Sequence, residues 1–569
     1  MTYGGNMMRF NSKSINYTIL TQLMSRLRQL NLPSETNYII LYTFFYKYCS
    51  DNLKDHMLMV LNDEELTFDE AYKDGYRQEL LKLDCLKLFG YYIDSPDAFI
   101  DEVINNRNLS EAEFLPYFLS RFPKSIIFNE EYHNKKHFDY FFDTINDIVQ
   151  VSKYAFERED HSAIKEIIML ISQMDIFDNA FSYSNVFEVI SSSRIMNLDS
   201  NPSYIIQILA SLIFAEKKSL TNAYDPFMKN GNSLMELFNY YGFDLKNVYG
   251  KEIDTLCCCC AIVKFFINNI SFGNVFLKQE DAVKSIDLNG ASFDAILSHV
   301  PIAIKNYHTS NKTQSREMAK RNKRSELEEI LLKNFDMDSD SFTQDIALNN
   351  ALENLVEKMD FEKDSNMDFI GEYESLKDSE FLFLINLIDS LKDDGIMAIS
   401  ISQNFLFKNS LETLRKYLTY EHNYIDAVIN IPHEIDRHKR PEVVIVFRKN
   451  KANRDILFID MSNDYETRKS SLIFPGLFRK NLILDNKTIN KMMDVFSNKL
   501  TISKYSRLIS IEEIIQNRFN LSVSRYVDTF EGEFVELSEL VDEKEDIDAN
   551  IKMLNKKIEK MMNELDVRF

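Results

Sequence analysis

Through the first 200 residues apolar side chains recur at three- and four-residue intervals, with few glycines and no run of strict alternation. That spacing predicts an α-helical domain over residues 1–200. Tyr38 to Asp51 is apolar nearly all round, the pattern of a helix buried on every side. Further helices are expected at 74–91, 111–121, 136–156 and 160–174. From about 203 the rhythm changes to short aliphatic or β-branched runs alternating with amphipathic stretches, which predicts an α/β domain built on a parallel sheet. Its strands are expected at 248–249, 295–297, 395–401, 425–431, 443–447 and 456–460, and its helices at 203–216, 254–269, 378–391 and 409–419.

Two stretches depart from this rhythm. Residues 307–370 form a polar insertion that begins with Lys312, Arg316, Lys320, Arg321, Lys323 and Arg324 and then turns acidic. Those six cations suit the phosphates of DNA, and the charge alternation equally suits a solvated helix. In the last stretch, Ile547, Ile551, Leu554, Ile558, Met561 and Leu565 follow one another in steps of three and four, a seam that needs a partner. Another chain or the protein's own body would serve. The expected organisation is thus 1–200 helical, 201–530 α/β, and a C-terminal helix within 531–569.

Composition narrows the functional classes. A net charge of -22 repels phosphate at long range, so any DNA contact rests on a local basic patch or on a partner. No apolar run reaches the roughly 18 residues of a membrane span and no signal peptide opens the chain, which points to the cytoplasm. Of six cysteines, four form the block Cys257 to Cys260; with no second ligand pair nearby they read as small buried helix residues rather than a metal site.

The candidate chemistry lies between 225 and 302. Asp225-Pro226-Phe227-Met228-Lys229-Asn230-Gly231-Asn232-Ser233-Leu234 is followed by Tyr249-Gly250-Lys251-Glu252, Gln279-Glu280-Asp281 and Phe293 to Ile302. Ligands of open α/β sheets sit beyond the carboxyl ends of strands, where Asp225 and Ser298 to Ile302 are expected. In this order the pieces resemble the modification (methylase) subunit of type I restriction-modification systems, the N-6 adenine-specific DNA methylase family. Ser34 to Asp51, the Leu391 to Ile399 turn and strand, and Asn520-Leu521-Ser522-Val523-Ser524-Arg525-Tyr526 resemble other segments of that family. The resemblance implies a helical N-terminal domain, a Rossmann-like class I methyltransferase domain and a C-terminal helical tail. It further implies S-adenosylmethionine as cofactor, and a DNA-specificity subunit or other protein as partner for the N-terminal domain and the C-terminal helix.

Against the family's Asp-Pro-x-Cys-Gly-Ser-Gly-x-x-Leu loop, Asp225, Pro226, Gly231 and Leu234 remain, Lys229 stands where the first glycine belongs, and Asn232 adds a second obstruction. The ribose-side acids correspond to Glu252 and Asp281. Asn201-Pro202 keeps only the proline of a Phe-Tyr-Thr-Pro segment. The catalytic Asn-Pro-Pro-Phe corresponds to His299-Val300-Pro301-Ile302. The imidazole cannot reproduce a carboxamide, and Ile302 forfeits base stacking worth roughly 1–3 kcal/mol. Each 1.4 kcal/mol being about tenfold, the combined loss is several orders of magnitude in rate. The expected function is therefore an inactive or strongly impaired homologue serving as a DNA- or protein-binding scaffold in phage defence or on a mobile element. Alternatives are an active S-adenosylmethionine-dependent DNA N6-adenine methyltransferase with divergent motifs, and a sensor that uses Asp225, Glu252 and Asp281 for another nucleotide.

Overall fold

A computed structural model describes residues 14–30, 32–63, 68–106, 109–129, 135–155, 158–193, 196, 198, 201–270, 274–282, 291–300, 379–432, 441–467, 482–529, 544 and 547–558. The Lys312 to Arg324 cations, the whole 307–370 insertion, Pro301 and Ile302 lie outside the described residues.

Nine strands make the central sheet: β1 Asn222–Asp225, β2 Asn247–Glu252, β3 Val275–Gln279, β4 Phe293–His299, β5 Leu391–Ser402, β6 Ile425–Asn430, β7 Glu442–Arg448, β8 Ile456–Asp460 and β9 Ser506–Ile509. Their spatial order is β9-β8-β6-β7-β5-β4-β1-β2-β3. The pairs β1·β2, β2·β3, β1·β4, β4·β5 and β6·β8 are parallel, whereas β7 is antiparallel to both β5 and β6, and β9 to β8. A sheet covered on both faces needs strands without polar alternation. All of β8, and all of β6 and β7 apart from terminal residues, are buried. This is the α/β, Rossmann-like architecture expected of the chain.

The chain leaves β1 toward β2 and β3, then returns to lay β4 on the other side of β1. That reversal opens a crevice at the carboxyl ends of β1 and β4. Helix α1, Ser203–Glu216, lies against β4 and β5. The helices α2, Asn232–Tyr241, and α3, Thr255–Ile267, follow β1 and β2. All four cysteines of 257–260 are buried in α3, where their small side chains pack in the core.

The N-terminal part is mainly helical but carries a small antiparallel pair, Tyr91–Ile93 with Ile126–Phe128, which periodicity missed because each strand is only three residues long. Its long helix Thr36–Asp63 is buried without a break from 39 to 50, within the apolar stretch Tyr38 to Asp51, and continues beyond it. Phe45 meets Phe266 of α3 with ring centroids 4.7 Å apart, and His137 Nε2 accepts the Leu277 N–H of β3 at 2.9 Å. One compact unit accordingly runs to Val527 and includes both the helices and the sheet. The segment after β9 closes onto it: Leu521 N donates to Leu406 O at 2.9 Å, and the buried Arg415 guanidinium donates to the carbonyls of Phe405, Lys408 and Phe519. Asp528–Phe569 is a second unit, helical at 547–558, with Ile547, Ile551, Leu554 and Ile558 about half exposed.

Candidate active site

Asp225 ends β1 and is fully buried. Its Oδ1 accepts Phe227 N at 2.9 Å and Ser298 Oγ at 2.8 Å, and its Oδ2 accepts the hydroxyl of Ser233. Ser298 comes within reach because β4 pairs directly with β1, Ala223 opposite Ala295 and Tyr224 opposite Ile296. Burial raises the carboxyl from an ordinary 3.8 to about 6, against the pull of the Ser233, Ser298 and Phe227 donors and of the His299 charge.

The loop after β1 turns through Lys229 at φ 50 and Gly231 at φ 80. Left-handed backbone is natural for glycine and strained for lysine. Gly231 has a further reason to lack a side chain, since a Cβ there would lie 3.0 Å from Ala261 Cβ of α3. Glu252 at the end of β2 fixes the turn. Its Oε2 accepts Lys229 N at 3.0 Å, and its Oε1 accepts Ile253 N at 2.8 Å and Asp254 N at 2.9 Å. The Lys229 side chain is itself buried, and its charge is felt by Glu442 on β7. Asn230 is also fully buried, yet among the described residues neither its Oδ1 nor its Nδ2 has a partner. A buried unsatisfied polar group costs about 1–3 kcal/mol and calls for a reason. Asn232 opens α2 and its Oδ1 accepts from Lys264 Nζ.

His299 closes β4. Its Nε2 lies 2.8 Å from Glu442 Oε2 and its Nδ1 3.0 Å from Asn201 Oδ1, so the ring is held from both sides. Ser400 of β5 donates to the same Glu442 oxygen at 3.0 Å. Burial works to raise the Glu442 carboxyl, but the bonds and charge of His299, the Ser400 hydroxyl and the charge of Lys229 outweigh it and hold the group below its usual range. Glu442 reaches this end of the sheet because β7 runs against its neighbours, so its first residue stands where theirs finish. Val300 is buried and donates its N–H to Ser400 O at 2.9 Å. Asp281, half-buried, follows β3, whose neighbour Glu280 pairs with Lys251 at 2.9 Å and donates its N–H to Glu252 O.

The structure therefore brings Asp225, Gly231, Glu252, His299 and Val300 to one end of the sheet, with Asp281 just past β3. Ser400 and Glu442 complete the constellation without having been singled out, and Asn201, Ser233 and Ser298 join it from segments already marked, where they had been given no role of their own. Glu442 had a signal, an acid directly before a wholly apolar strand. The serines are too common a residue to have one.

Comparison with known proteins now carries weight. A profile of the N-6 DNA Methylase family matches residues 336–534. The methylase subunit of the type I restriction enzyme MpnII from Mycoplasma pneumoniae is 21% identical over 566 residues, 93% of each chain. The chain is similar to type I methylase subunits along nearly its whole length. Among solved structures, the type I restriction-modification methyltransferase subunit of Streptococcus thermophilus superposes with a TM-score of 0.64 at 20% identity, over 90% of this chain and 99% of that one. A chain from a study of assembly and conformational transition in the type I system gives 0.53 at 10% identity, over 97% and 99%. Both likenesses speak to the fold. The segment 225–302 lies wholly before the span that the family profile matches.

The family implies S-adenosylmethionine, a sulfonium cation flanked by a methionine chain and an adenosine. The residues present do not fit its charged end. A buried ammonium occupies the turn at Lys229, and the position that would align an acceptor amine is a histidine already hydrogen-bonded on both nitrogens. Glu252 and Asp281 keep acidic side chains at successive strand ends.

Proposed function

We propose that this methylase-subunit homologue acts by binding rather than by methyl transfer. It would serve, in the cytoplasm, as the scaffold of an assembly of type I kind engaged in phage defence or in upkeep of a mobile element. The observation that carries this reading is the Asn201–His299–Glu442 chain of hydrogen bonds, which fills the place where the catalytic asparagine of the family would receive the target amine. Opening that place means breaking two hydrogen bonds to a largely buried ring, and a buried partner left unsatisfied costs about 1–3 kcal/mol. One structural neighbour belongs to a type I system whose complex assembly was studied, and this chain has an exposed apolar seam at Ile547, Ile551, Leu554 and Ile558 with which to join such a complex. The partner is a specificity-type subunit that reads DNA. Lys312, Arg316, Lys320, Arg321, Lys323 and Arg324 are the proposed phosphate contacts of this otherwise acidic protein.

The test is incubation of the full chain with labelled S-adenosylmethionine and mixed-sequence DNA, with and without the partner. The expected result is a stable complex and no methyl incorporation above background. Incorporation that disappears in His299→Ala would overturn the proposal.

A further inference from the structure

β3 ends the sheet on its side, so the N–H groups it turns away from β2 meet no further strand. The one at Leu277 is taken by a side chain from far along the sequence. His137, in the helix Lys135–Ala155, accepts it at Nε2 over 2.9 Å in a buried setting. A backbone N–H can only donate, so this bond fixes the state of the ring. The Nε2 lone pair is in use and the single proton of the neutral imidazole sits on Nδ1. An imidazolium carries a proton on both nitrogens and has nothing left with which to accept. The next residue, Phe138, stacks on Phe128 with centroids 4.2 Å apart and meets Phe266 of α3 at 5.5 Å.

On the elements packed around this helix, burial raises the phenols of Tyr38 and Tyr140 and the thiols of Cys258 and Cys259, which stay neutral where a histidine titrates. Charged groups on the same elements are Lys136 and Asp139 beside His137, Lys278 on β3, Lys264 on α3 matched by Glu188, and Arg121 of Glu111–Arg121 matched by Asp97. The helix Thr36–Asp63 adds Lys47 paired with Asp51, whose carboxyl burial pushes up to about 6. Asp51 therefore changes charge in the range of a histidine, and a test has to act at residue 137 itself.

We propose that His137 is a proton-operated latch on the edge of the sheet: its neutral ring ties β3 to the helices that precede the sheet, and protonation releases the strand. Only the neutral ring makes the bond, so folding opposes uptake of the proton. The stabilisation is full above the ordinary imidazole value of about 6.5 and is lost as pH falls below it. The strand so held pairs with β2 along its whole length and leads into Glu280, which meets Lys251, and into Asp281. Acid then acts on the Glu252 and Asp281 side of the candidate site from the outer edge of the sheet, without contact with Asp225 or His299.

The experiment is hydrogen exchange of the full chain read by mass spectrometry at pH 7.5 and pH 5.0, with rates corrected for their intrinsic pH dependence. Protection of the peptide 274–282 is expected to fall at least about tenfold at pH 5.0 while that of β6 in the middle of the sheet is kept. His137→Gln places an amide oxygen near the position of Nε2 and takes up no proton, so its β3 is expected to be equally protected at both pH values. His137→Leu has no acceptor, and its β3 is expected to exchange freely at both. Unchanged protection of the parent at pH 5.0, equal loss at β6, a His137→Gln variant that opens as the parent does, or a His137→Leu variant protected like the parent would each overturn the latch. The comparison of parent with His137→Gln decides the matter alone where His137→Leu does not fold.

Discussion

Asp225 holds its place at a cost set by burial. Its carboxyl titrates near 6 in the folded chain against an ordinary 3.8, so between those values the folded state binds the proton more tightly than the unfolded one. The contribution is therefore most favourable at low pH and is lost as pH rises through 6, by about 3 kcal/mol for a shift of roughly two units. Asp225→Asn escapes this dependence. Urea midpoints taken from pH 4 to pH 7.5 should show the variant gaining on the parent by up to about 3 kcal/mol as pH rises; a pH-independent difference would refute the assignment. The residue itself was legible, because Asp-Pro ahead of a glycine turn is a recognisable fragment. Its partners were not, since Ser233 and Ser298 reach it only through strand order, which spacing along the chain does not encode.

At the scale of elements, periodicity found the long, strongly patterned pieces and lost the short ones. The apolar runs of β6, β7 and β8 announce themselves because both faces are covered. β1, four residues ending in a polar site, and the three-residue strands at 91–93 and 126–128 offer too few positions for a period. Helix α2 went unseen for a related reason, since its start is a left-handed glycine turn rather than a cap of the usual Ser, Thr, Asp or Asn type. The turn tolerates little change at Gly231, where a methyl group would meet both left-handed backbone and the Ala261 side chain at 3.0 Å. Gly231→Ala should cost about 1–3 kcal/mol by chemical denaturation. A loss below about 0.5 kcal/mol would mean that α2 and α3 can separate more easily than their packing suggests.

For the whole molecule, relatedness and chemistry are distributed unevenly. The family profile covers 336–534, including the strands that build the far half of the sheet, while the altered site lies ahead of it. The C-terminal unit is the first place to test the proposed binding role. Ile551→Lys with Leu554→Lys should abolish association with a specificity-type partner in size-exclusion chromatography while the thermal midpoint of the unit ending at Val527 stays within about 2 °C, as exposed positions carry little folding energy. A lowered midpoint with association intact would point to packing within the protein instead.

The antiparallel insertion of β7 has one last consequence, for how this site changes over generations. By delivering Glu442 to His299, it makes the two positions inherit as a pair. A lone His299→Asn reversal toward the family motif would take a hydrogen bond from the Glu442 carboxylate and leave it with Ser400 and the charge of Lys229, at about 1–3 kcal/mol. The way back to the ancestral motif thus runs through a less stable intermediate unless Glu442 is neutralised first. The hairpin acts as a ratchet on the lineage.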